Sequence, residues 1–239
     1  MLSGIFARGL RQTRHGPLRL RFVLAMTVVF FVVRAQSAEP AATEGVGGSS
    51  TNLLLEGPGP NSIWENGIGD GFRRGLQSFT AGAAGAYGLK AFGSYESHDL
   101  GLVSVEYGRM LGPVLGRHYG LRGNFEARIE LFGGAQLSPG RDWLVGLTPH
   151  LRYNFATGTR WVPFLDIGAG VSATSIGPPD LSGTFEFNLQ ACAGVNRFLR
   201  DDLALTLEAR YLHMSCAGLS SPNSGLNAVV GMLGLTWFF

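Results

Sequence analysis

His213 and Ser215 lie two residues apart near the end of the predicted seventh β-strand, where their side chains could act as a base and its nucleophile. Side chains two residues apart point to the same face of a strand, and their Cβ atoms are about 6 to 7 Å apart. At that separation an imidazole nitrogen can reach a serine hydroxyl and take up its proton. The pair therefore has the residue types and the spacing for nucleophilic attack on an ester carbonyl.

A third residue, Asn227, is predicted to face His213 across the last hairpin. A turn centred near Ser220 pairs Ser215 with Gly225. This register puts Asn227 directly opposite His213, and opposed residues share a face. An amide oxygen there can accept a hydrogen bond from the second imidazole nitrogen and fix the tautomer of the ring, as Asn does in papain-like proteases. The alternative is that His213 and Ser215 are simply polar residues at the rim of a sheet.

The elements that carry these residues show a period-two alternation of apolar and polar side chains, which is typical of β-strands. In the third strand, the residues that alternate are Phe125, Ala127, Ile129 and Leu131 with Asn124, Glu126, Arg128 and Glu130. The pattern predicts eight strands, at 76–88, 100–112, 121–135, 142–155, 160–174, 183–199, 202–215 and 226–239.

The composition favours an outer-membrane barrel. Hydrophobic residues make up 45% of the chain and charged residues only 15%, yet beyond an N-terminal run no apolar stretch approaches the roughly 20 residues that a spanning helix needs. An even number of strands with one apolar face and one polar face suits a barrel with a lipid exterior and a polar lumen. We therefore predict an all-β, eight-stranded antiparallel transmembrane β-barrel. In its seventh strand His213 and Ser215 continue the apolar, lipid-facing row and lie near the extracellular end.

Polar residues of the opposite parity are expected to line the lumen, where ionised side chains can pair and hydrate. We interpret the charged members as a structural network rather than as catalytic groups. They are Glu106, Glu126, Arg128, Glu130, Glu186, Glu208 and Arg210.

The N-terminus predicts export. Five arginines without an acidic residue precede the apolar run 22–33, and the small residues at 35–38 follow it, which is the layout of a secretory signal peptide. We assign 1–38 to a signal peptide preceding a short periplasmic linker at 39–75. The barrel then covers 76–239.

The remaining candidates for chemistry are less convincing. Cys192 and Cys216 are predicted to be free thiols, and the parity of Cys216 is opposite to that of His213, which argues against Cys216 as the nucleophile. His98, His118 and His150 are scattered without metal-ligand spacing, so no metal and no cofactor are predicted. The net charge of +2 partly reflects the leader and gives no argument for nucleic acid.

The turn after Ser215 resembles the signature of the lipid A 3-O-deacylase family, also called acyloxyacyl hydrolases. The residues that carry the resemblance are His213, Met214, Ser215, Cys216, Ala217, Gly218, Leu219, Pro222, Asn223 and Gly225. The resemblance implies an outer-membrane esterase that removes an ester-linked acyl chain from lipid A, or a related acylated glycolipid, in the outer leaflet. It implies that His213 is the base, Ser215 the nucleophile and Asn223 a candidate for the oxyanion hole, with Gly218 as support.

Two residues depart from the family's pattern. Cys216 stands where Asn is common, and the residue matching the third member of the triad is Asn227 rather than Glu. A neutral Asn stabilises imidazolium less well than a carboxylate, so slow turnover is expected. The alternative function is a catalytically weak or inactive barrel with a structural or ligand-binding role. Eight strands leave too little lumen for a general porin, and a homodimer is left open.

Overall fold

The computed structural model describes residues 62–116 and 120–239, which form a closed barrel of eight antiparallel strands. The strands are β1 (Gln77–Leu89), β2 (Asp99–Met110), β3 (Gly123–Ser138), β4 (Trp143–Phe155), β5 (Trp161–Thr174), β6 (Phe185–Phe198), β7 (Leu203–Ser215) and β8 (Leu226–Phe238). The predicted architecture is confirmed. The proposed signal peptide (1–38), most of the linker (39–75) and His118 lie outside the described residues.

The barrel is apolar outside and polar inside, because the alternation in the sequence matches the alternation of side chains across each strand. On the outer face, Val103 and Ile167 are 62% and 64% exposed. On the inner face, Thr148 and Asn188 are fully buried and hydrogen-bonded to each other at 2.8 Å. In the described parts of the chain, no helix is long and apolar enough to cross a membrane.

Each strand pairs with its neighbours in chain order, and β8 pairs with β1 to close the barrel. The largest difference from the predicted ends is at β3, which continues to Ser138 rather than to residue 135. The register of the last hairpin is the predicted one, with His213 opposite Asn227. Barrels of this class have short periplasmic turns and longer extracellular loops. We therefore call the end that carries the loops at 90–98, 175–184 and 216–225 the extracellular end.

Ion pairs fill the middle of the lumen. Arg152 lies 2.7 Å from Asp166 and 2.9 Å from Glu208, and Arg210 lies 2.7 Å from both Glu130 and Glu208. All seven charged residues predicted to line the lumen are buried there. Six of them join the network of ion pairs, whereas Glu186 makes none with the described residues.

The network also contains three residues that were not in the predicted set of charged lumen residues: His150, Arg152 and Asp166. Arg152 further stacks on Phe164, with its guanidinium carbon 3.6 Å from the ring centroid. The strand positions of these residues have the inward parity. The alternation of β4 and β5 could therefore have predicted that these residues line the lumen, as the alternation of β3 did for its own residues.

Aromatic rings close the periplasmic end of the lumen. Trp64 stacks on Phe72 at 4.8 Å between centroids, and Phe72 stacks on Phe238 at 4.9 Å, with Phe198 completing the cluster. Trp64 and Phe72 belong to the segment 39–75, which was predicted to be a periplasmic linker. Within its described part, these two side chains enter the barrel and become part of its core.

The extracellular end is held together by Asp180, in the loop between β5 and β6. Its carboxylate is fully buried and accepts hydrogen bonds from the backbone amides of Tyr95 (2.6 Å) and Glu96 (2.9 Å) and from Nε2 of His98 (2.9 Å). Its backbone oxygen accepts from the amides of Ser224 and Gly225, both at 3.0 Å. One residue thus fixes the β1–β2 loop and the β7–β8 loop relative to each other.

Candidate active site

His213, Ser215 and Asn227 come together on the outer face of β7 and β8. The Nε2 atom of His213 lies 3.1 Å from Oγ of Ser215, and its Nδ1 atom lies 2.8 Å from Oδ1 of Asn227. The antiparallel register of the two strands places Asn227 opposite the imidazole, and the two-residue repeat of β7 places Ser215 beside it. The arrangement is a continuous chain of hydrogen bonds from an amide through an imidazole to a hydroxyl.

The contacts of Asn227 determine which way its amide faces. Its Nδ2 atom donates to the backbone oxygen of Ala91 (2.9 Å) and to Oγ of Ser94 (2.6 Å), both in the β1–β2 loop. Its Oδ1 atom accepts from the hydroxyl of Tyr211 at 2.5 Å. The carbonyl of Ala91 can only accept and the amide oxygen can only accept, so the oxygen must be the atom that faces His213.

The tautomer of His213 follows from this orientation. Because Oδ1 of Asn227 is an acceptor, the proton of a neutral imidazole lies on Nδ1. Nε2 is then unprotonated and accepts the hydrogen bond that the Ser215 hydroxyl donates. This is the protonation state in which an imidazole can act as a general base toward the serine.

The three residues lie where the apolar outer surface meets the extracellular loops. Asn227 is 1% exposed, whereas His213 and Ser215 are half-buried. On the neighbouring strand β6, Leu189 lies opposite His213 and Phe187 lies opposite Ser215. Their side chains are 54% and 37% exposed on the same outer face. A hydroxyl and an imidazole therefore open onto an apolar exterior, a setting suited to an amphiphile rather than to a small polar solute.

Gly225 lies against the imidazole ring. Its φ is +79°, a left-handed conformation that favours glycine, and a Cβ atom at this position would lie 2.9 Å from Cε1 of His213. The amide of Gly225 donates to the backbone oxygen of Asp180, and its carbonyl accepts from the hydroxyl of Ser94 at 2.6 Å. The glycine thus brings the backbone close to His213 without displacing the ring.

Asn223 and Gly218, predicted to serve the oxyanion, lie in the β7–β8 loop. Oδ1 of Asn223 accepts hydrogen bonds from the backbone amide (3.0 Å) and the thiol (3.1 Å) of Cys216. The side chain is exposed, and no contact joins it to His213 or Ser215 among the described residues. Gly218 has a φ of +80° and shapes the turn. Their role toward an oxyanion stays a prediction.

Cys216 does not join the group around His213. Its side chain is 2% exposed, and its sulfur contacts Ser182 (3.4 Å), the backbone oxygen of Ser220 (3.3 Å) and Asn223. Hydrogen bonding by the side-chain hydroxyl of Ser182, and then by that of Ser220, lowers the pKa of the thiol to about 7. Both cysteines of the chain are free, and Cys192 is buried in the lumen.

One group of potential metal ligands occurs among the described residues, and it lies in the lumen. It consists of His150, Asp166 and Cys192, whose ligand atoms lie within 4.8 Å of one another. Nδ1 of His150 is 2.6 Å from Asp166, and Arg152 holds the other carboxylate oxygen. These contacts are those of an ion-pair network, and the group faces away from Ser215 across the barrel wall.

Four residues of this region were not identified from the sequence: Ala91, Ser94, Asp180 and Tyr211. Tyr211 could have been found, because it has the same outward parity as His213 in β7. The other three lie in loops without a repeat. Their contacts depend on how loops that are distant in the sequence fold over one another. The spacing of residues within one loop cannot predict such contacts.

An antiparallel eight-stranded barrel with an apolar exterior and a charged interior defines an outer-membrane β-barrel. The family described as "Lipid A 3-O-deacylase (PagL)" matches residues 117–236, about half of the 239-residue chain. The chain therefore belongs to the lipid A 3-O-deacylase family, and it is a protein of the bacterial outer membrane.

Solved structures of outer-membrane proteins are similar to this chain. Neisserial surface protein A matches with a TM-score of 0.51 and 16% identity, over 70% of this chain and 100% of its own. The outer membrane enzyme PagL matches with a TM-score of 0.46 and 20% identity, over 64% of this chain and 97% of its own. OprG from Pseudomonas aeruginosa has a TM-score of 0.41 and 13% identity, over 72% and 99% of the two chains. No curated protein sequence matches this chain.

Proposed function

We propose that the protein is an outer-membrane serine esterase that removes an ester-linked acyl chain from lipid A by 3-O-deacylation, or from a related glycolipid in the outer leaflet. The observation that carries the proposal is the chain of hydrogen bonds from Asn227 through His213 to Ser215 on the outward face. Membership of the lipid A 3-O-deacylase family supplies the substrate class.

In the proposed reaction, Oγ of Ser215 attacks the acyl carbonyl while Nε2 of His213 takes up the hydroxyl proton. The tetrahedral intermediate collapses with loss of the sugar oxygen, which receives the proton from the imidazolium. The resulting acyl-serine ester is then hydrolysed by water, with His213 again serving as base. Asn227 keeps its oxygen on Nδ1 of the ring throughout, so the ring needs no rotation between steps.

The neutral third residue sets an expectation for the rate. An amide oxygen stabilises the imidazolium less than a carboxylate does, because it brings no full charge to the pair. Four hydrogen bonds hold the Asn227 side chain, however, so its orientation is fixed before the substrate arrives. Preorganisation of this kind lowers the cost of reaching the transition state.

Asn223 is the proposed side-chain donor to the oxyanion. Its Oδ1 atom is occupied by the backbone amide of Cys216, so its NH₂ group is the end available to a developing negative charge. Gly218 supports this role because its left-handed backbone allows the turn in which Asn223 contacts the backbone amide of Cys216.

The location of the site suits a membrane lipid. An ester that joins a sugar to an acyl chain lies at the boundary between the polar head and the hydrocarbon, and His213 and Ser215 lie where the apolar exterior meets the loops. The acyl chain can then remain against the apolar wall while the sugar stays among the loops. No step of the reaction requires a cofactor or a metal.

The second candidate is a non-enzymatic barrel with a structural or ligand-binding role. Two observations favour it: the third residue is Asn227 rather than a carboxylate, and the amide of Cys216, which follows the nucleophile, already donates to Asn223. The fold is also that of Neisserial surface protein A.

Release of fatty acid from lipid A by the purified, refolded barrel distinguishes the two candidates. The wild-type protein, Ser215→Ala and the lumen variant Thr148→Val are compared, with released acid followed by mass spectrometry. We expect Ser215→Ala to lose about 10³-fold or more in rate, and Thr148→Val to retain activity in its folded fraction. Equal release by wild type and Ser215→Ala would exclude the serine mechanism, and labelling of Ser215 by a fluorophosphonate probe would argue against the non-enzymatic candidate.

A further inference from the structure

We infer that Ser94 is a positioning residue for His213, because it fixes, together with the backbone oxygen of Ala91, the direction in which the Asn227 amide faces. The inference rests on the proposed function for its catalytic consequence. Ser94 lies in the β1–β2 loop, 119 residues from His213 along the chain, and neither the motif nor the strand pattern points to it.

The hydroxyl of Ser94 has one proton to donate and two lone pairs that can accept, and its contacts show which partner receives the proton. It donates to the backbone oxygen of Gly225 at 2.6 Å, which uses its only proton. The atom of Asn227 that lies 2.6 Å from it must then be a donor, which is Nδ2. The hydroxyl of Ser94 therefore favours the orientation of Asn227 in which the amide nitrogen, and not the amide oxygen, faces Ser94.

A reversed Asn227 amide would disable the base. Nδ2 would then face Nδ1 of His213, so the ring proton would move to Nε2, and Nε2 would point a hydrogen at Ser215 instead of a lone pair. The hydroxyl of Tyr211 would also lose its acceptor, and two oxygens would face each other at Ala91. The orientation of the Asn227 amide therefore keeps His213 in the Nδ1–H tautomer, in which Nε2 can accept the proton of Ser215.

The loop that carries Ser94 is itself held in place. Immediately after Ser94, the amides of Tyr95 and Glu96 donate to the buried carboxylate of Asp180. The backbone oxygen of Asp180 holds Gly225, the second partner of Ser94. Both sides of the contact are thus anchored to one residue, so the hydroxyl has a fixed position from which to act on Asn227.

The chain offers a matched control for Ser94. Ser97 belongs to the same loop, is half-buried like Ser94, and donates one hydrogen bond of 2.7 Å to the backbone oxygen of Gly88. It makes no contact with Asn227 or Gly225. If Ser94 only stabilises the loop, Ser94→Ala and Ser97→Ala should have the same consequences.

The test compares wild type, Ser94→Ala, Ser94→Thr and Ser97→Ala in detergent micelles. We expect Ser94→Ala to lower kcat about tenfold or more with little change in KM, because the base rather than the binding surface is affected. Ser94→Thr keeps the hydroxyl and should retain most of the activity, and Ser97→Ala should match wild type. Equal losses in Ser94→Ala and Ser97→Ala, or wild-type kcat in Ser94→Ala, would overturn the inference.

A second readout needs no substrate. In barrel labelled with ¹⁵N-histidine, NMR reports which nitrogen of His213 carries the proton, and the signals are assigned by their loss in His213→Gln. Wild type and Ser97→Ala should show the Nδ1–H form alone, and Ser94→Ala should show a share of the Nε2–H form. The Nδ1–H form alone in Ser94→Ala would also overturn the inference.

The two readouts separate this inference from the proposed function. A wild-type barrel that releases no fatty acid refutes the proposed function, whereas the NMR result still decides whether Ser94 sets the tautomer. If Ser94→Ala does not fold, Ser94→Cys carries the same measurements, because a thiol fills the space but hydrogen-bonds weakly.

Discussion

The imidazole Nδ1 of His213 lies 2.8 Å from the side-chain oxygen of Asn227. The other end of the same amide donates to the backbone oxygen of Ala91 and to the hydroxyl of Ser94. A carboxylate could make the first contact but not the other two, since it has no proton to donate. Asn227 therefore makes two contacts with the β1–β2 loop that an aspartate or glutamate could not make, in addition to its contact with His213.

Asn227→Asp is expected to destabilise the barrel. The new carboxylate would place a negative oxygen where Nδ2 now lies, 2.9 Å from the carbonyl oxygen of Ala91, and would leave that carbonyl without its donor. We expect a loss of about 1 to 3 kcal/mol in the free energy of unfolding, measured by urea titration of the refolded protein.

The control for Asn227→Asp is to repeat the stability measurement at low pH, where the new carboxyl group is protonated. At about pH 3 a large share of the carboxyl groups is protonated and can donate to Ala91 again, so the difference between variant and wild type should shrink. A variant that is as stable as wild type at pH 7 would show that the β1–β2 loop does not depend on the amide nitrogen.

Gly225→Ala is expected to reduce activity far more than stability. The added Cβ would lie 2.9 Å from Cε1 of His213, so the ring must shift from the position in which it contacts Ser215. Misplacement of a reacting group by about 1 Å can cost roughly 10²-fold in rate, and we expect a loss of that order in kcat.

The control for this substitution is Gly158→Ala, in the turn between β4 and β5. Gly158 also has a positive φ (+66°), but a Cβ there meets nothing within 4 Å. Both variants should lose about 1 kcal/mol from backbone strain, and only Gly225→Ala should lose activity. Equal activity in the two variants would show that the ring tolerates the methyl group.

The sequence predicted the strands and the three outward residues for the same physical reason. Strict alternation fixes the face of every strand residue once one face is assigned, and a short hairpin fixes the register. Alternation and register alone were therefore enough to place His213, Ser215 and Asn227 together. Arg152 and Asp166 follow the same alternation, and the inward parity of β4 and β5 would have predicted them too.

The contacts made by the loops could not be predicted in this way. Ser94 reaches Asn227 and Gly225 because the β1–β2 loop folds over β8, and Asp180 holds that fold from a third loop. These contacts join residues more than 80 positions apart, with no repeat to relate them. The same reason limits the prediction for Asn223, whose oxygen contacts Cys216 in a turn that has no regular period.

Arg152→Met is expected to destabilise the barrel strongly without touching the site. The substitution leaves the carboxylates of Asp166 and Glu208 buried without their shared cation. Removing one partner of a buried ion pair typically costs about 3 to 5 kcal/mol, and we expect a loss of this size in the free energy of unfolding.

Arg160→Ala is the matched control for Arg152→Met. Arg160 pairs with Asp201 at 3.2 Å, but both side chains are exposed, so its loss should cost no more than about 1 kcal/mol. Esterase activity per folded molecule should be that of wild type in both variants. Similar stability losses in the two would mean that water reaches the lumen network freely.

Cys216 is expected to ionise near neutral pH. Hydrogen bonding by the side-chain hydroxyl of Ser182, and then by that of Ser220, favours the thiolate and lowers the pKa of the thiol from 9.0 to about 7. The absorbance of the thiolate near 240 nm, taken as the difference from Cys216→Ser, should therefore rise with a midpoint near pH 7. Ser182→Ala removes the hydrogen bond that lowers the pKa of the thiol most and should move the midpoint to higher pH.

Ionisation of Cys216 should also affect the proposed oxyanion donor. The sulfur lies 3.1 Å from Oδ1 of Asn223, and a negative sulfur at that distance repels the amide oxygen and attracts the NH₂ group. As pH rises through 7, Asn223 should turn its donor toward Cys216 and away from the substrate. The activity of wild type relative to Cys216→Ser should then fall over the same pH range. A constant activity ratio between pH 6 and 9, alongside a thiolate midpoint near 7, would show that Asn223 does not serve the oxyanion.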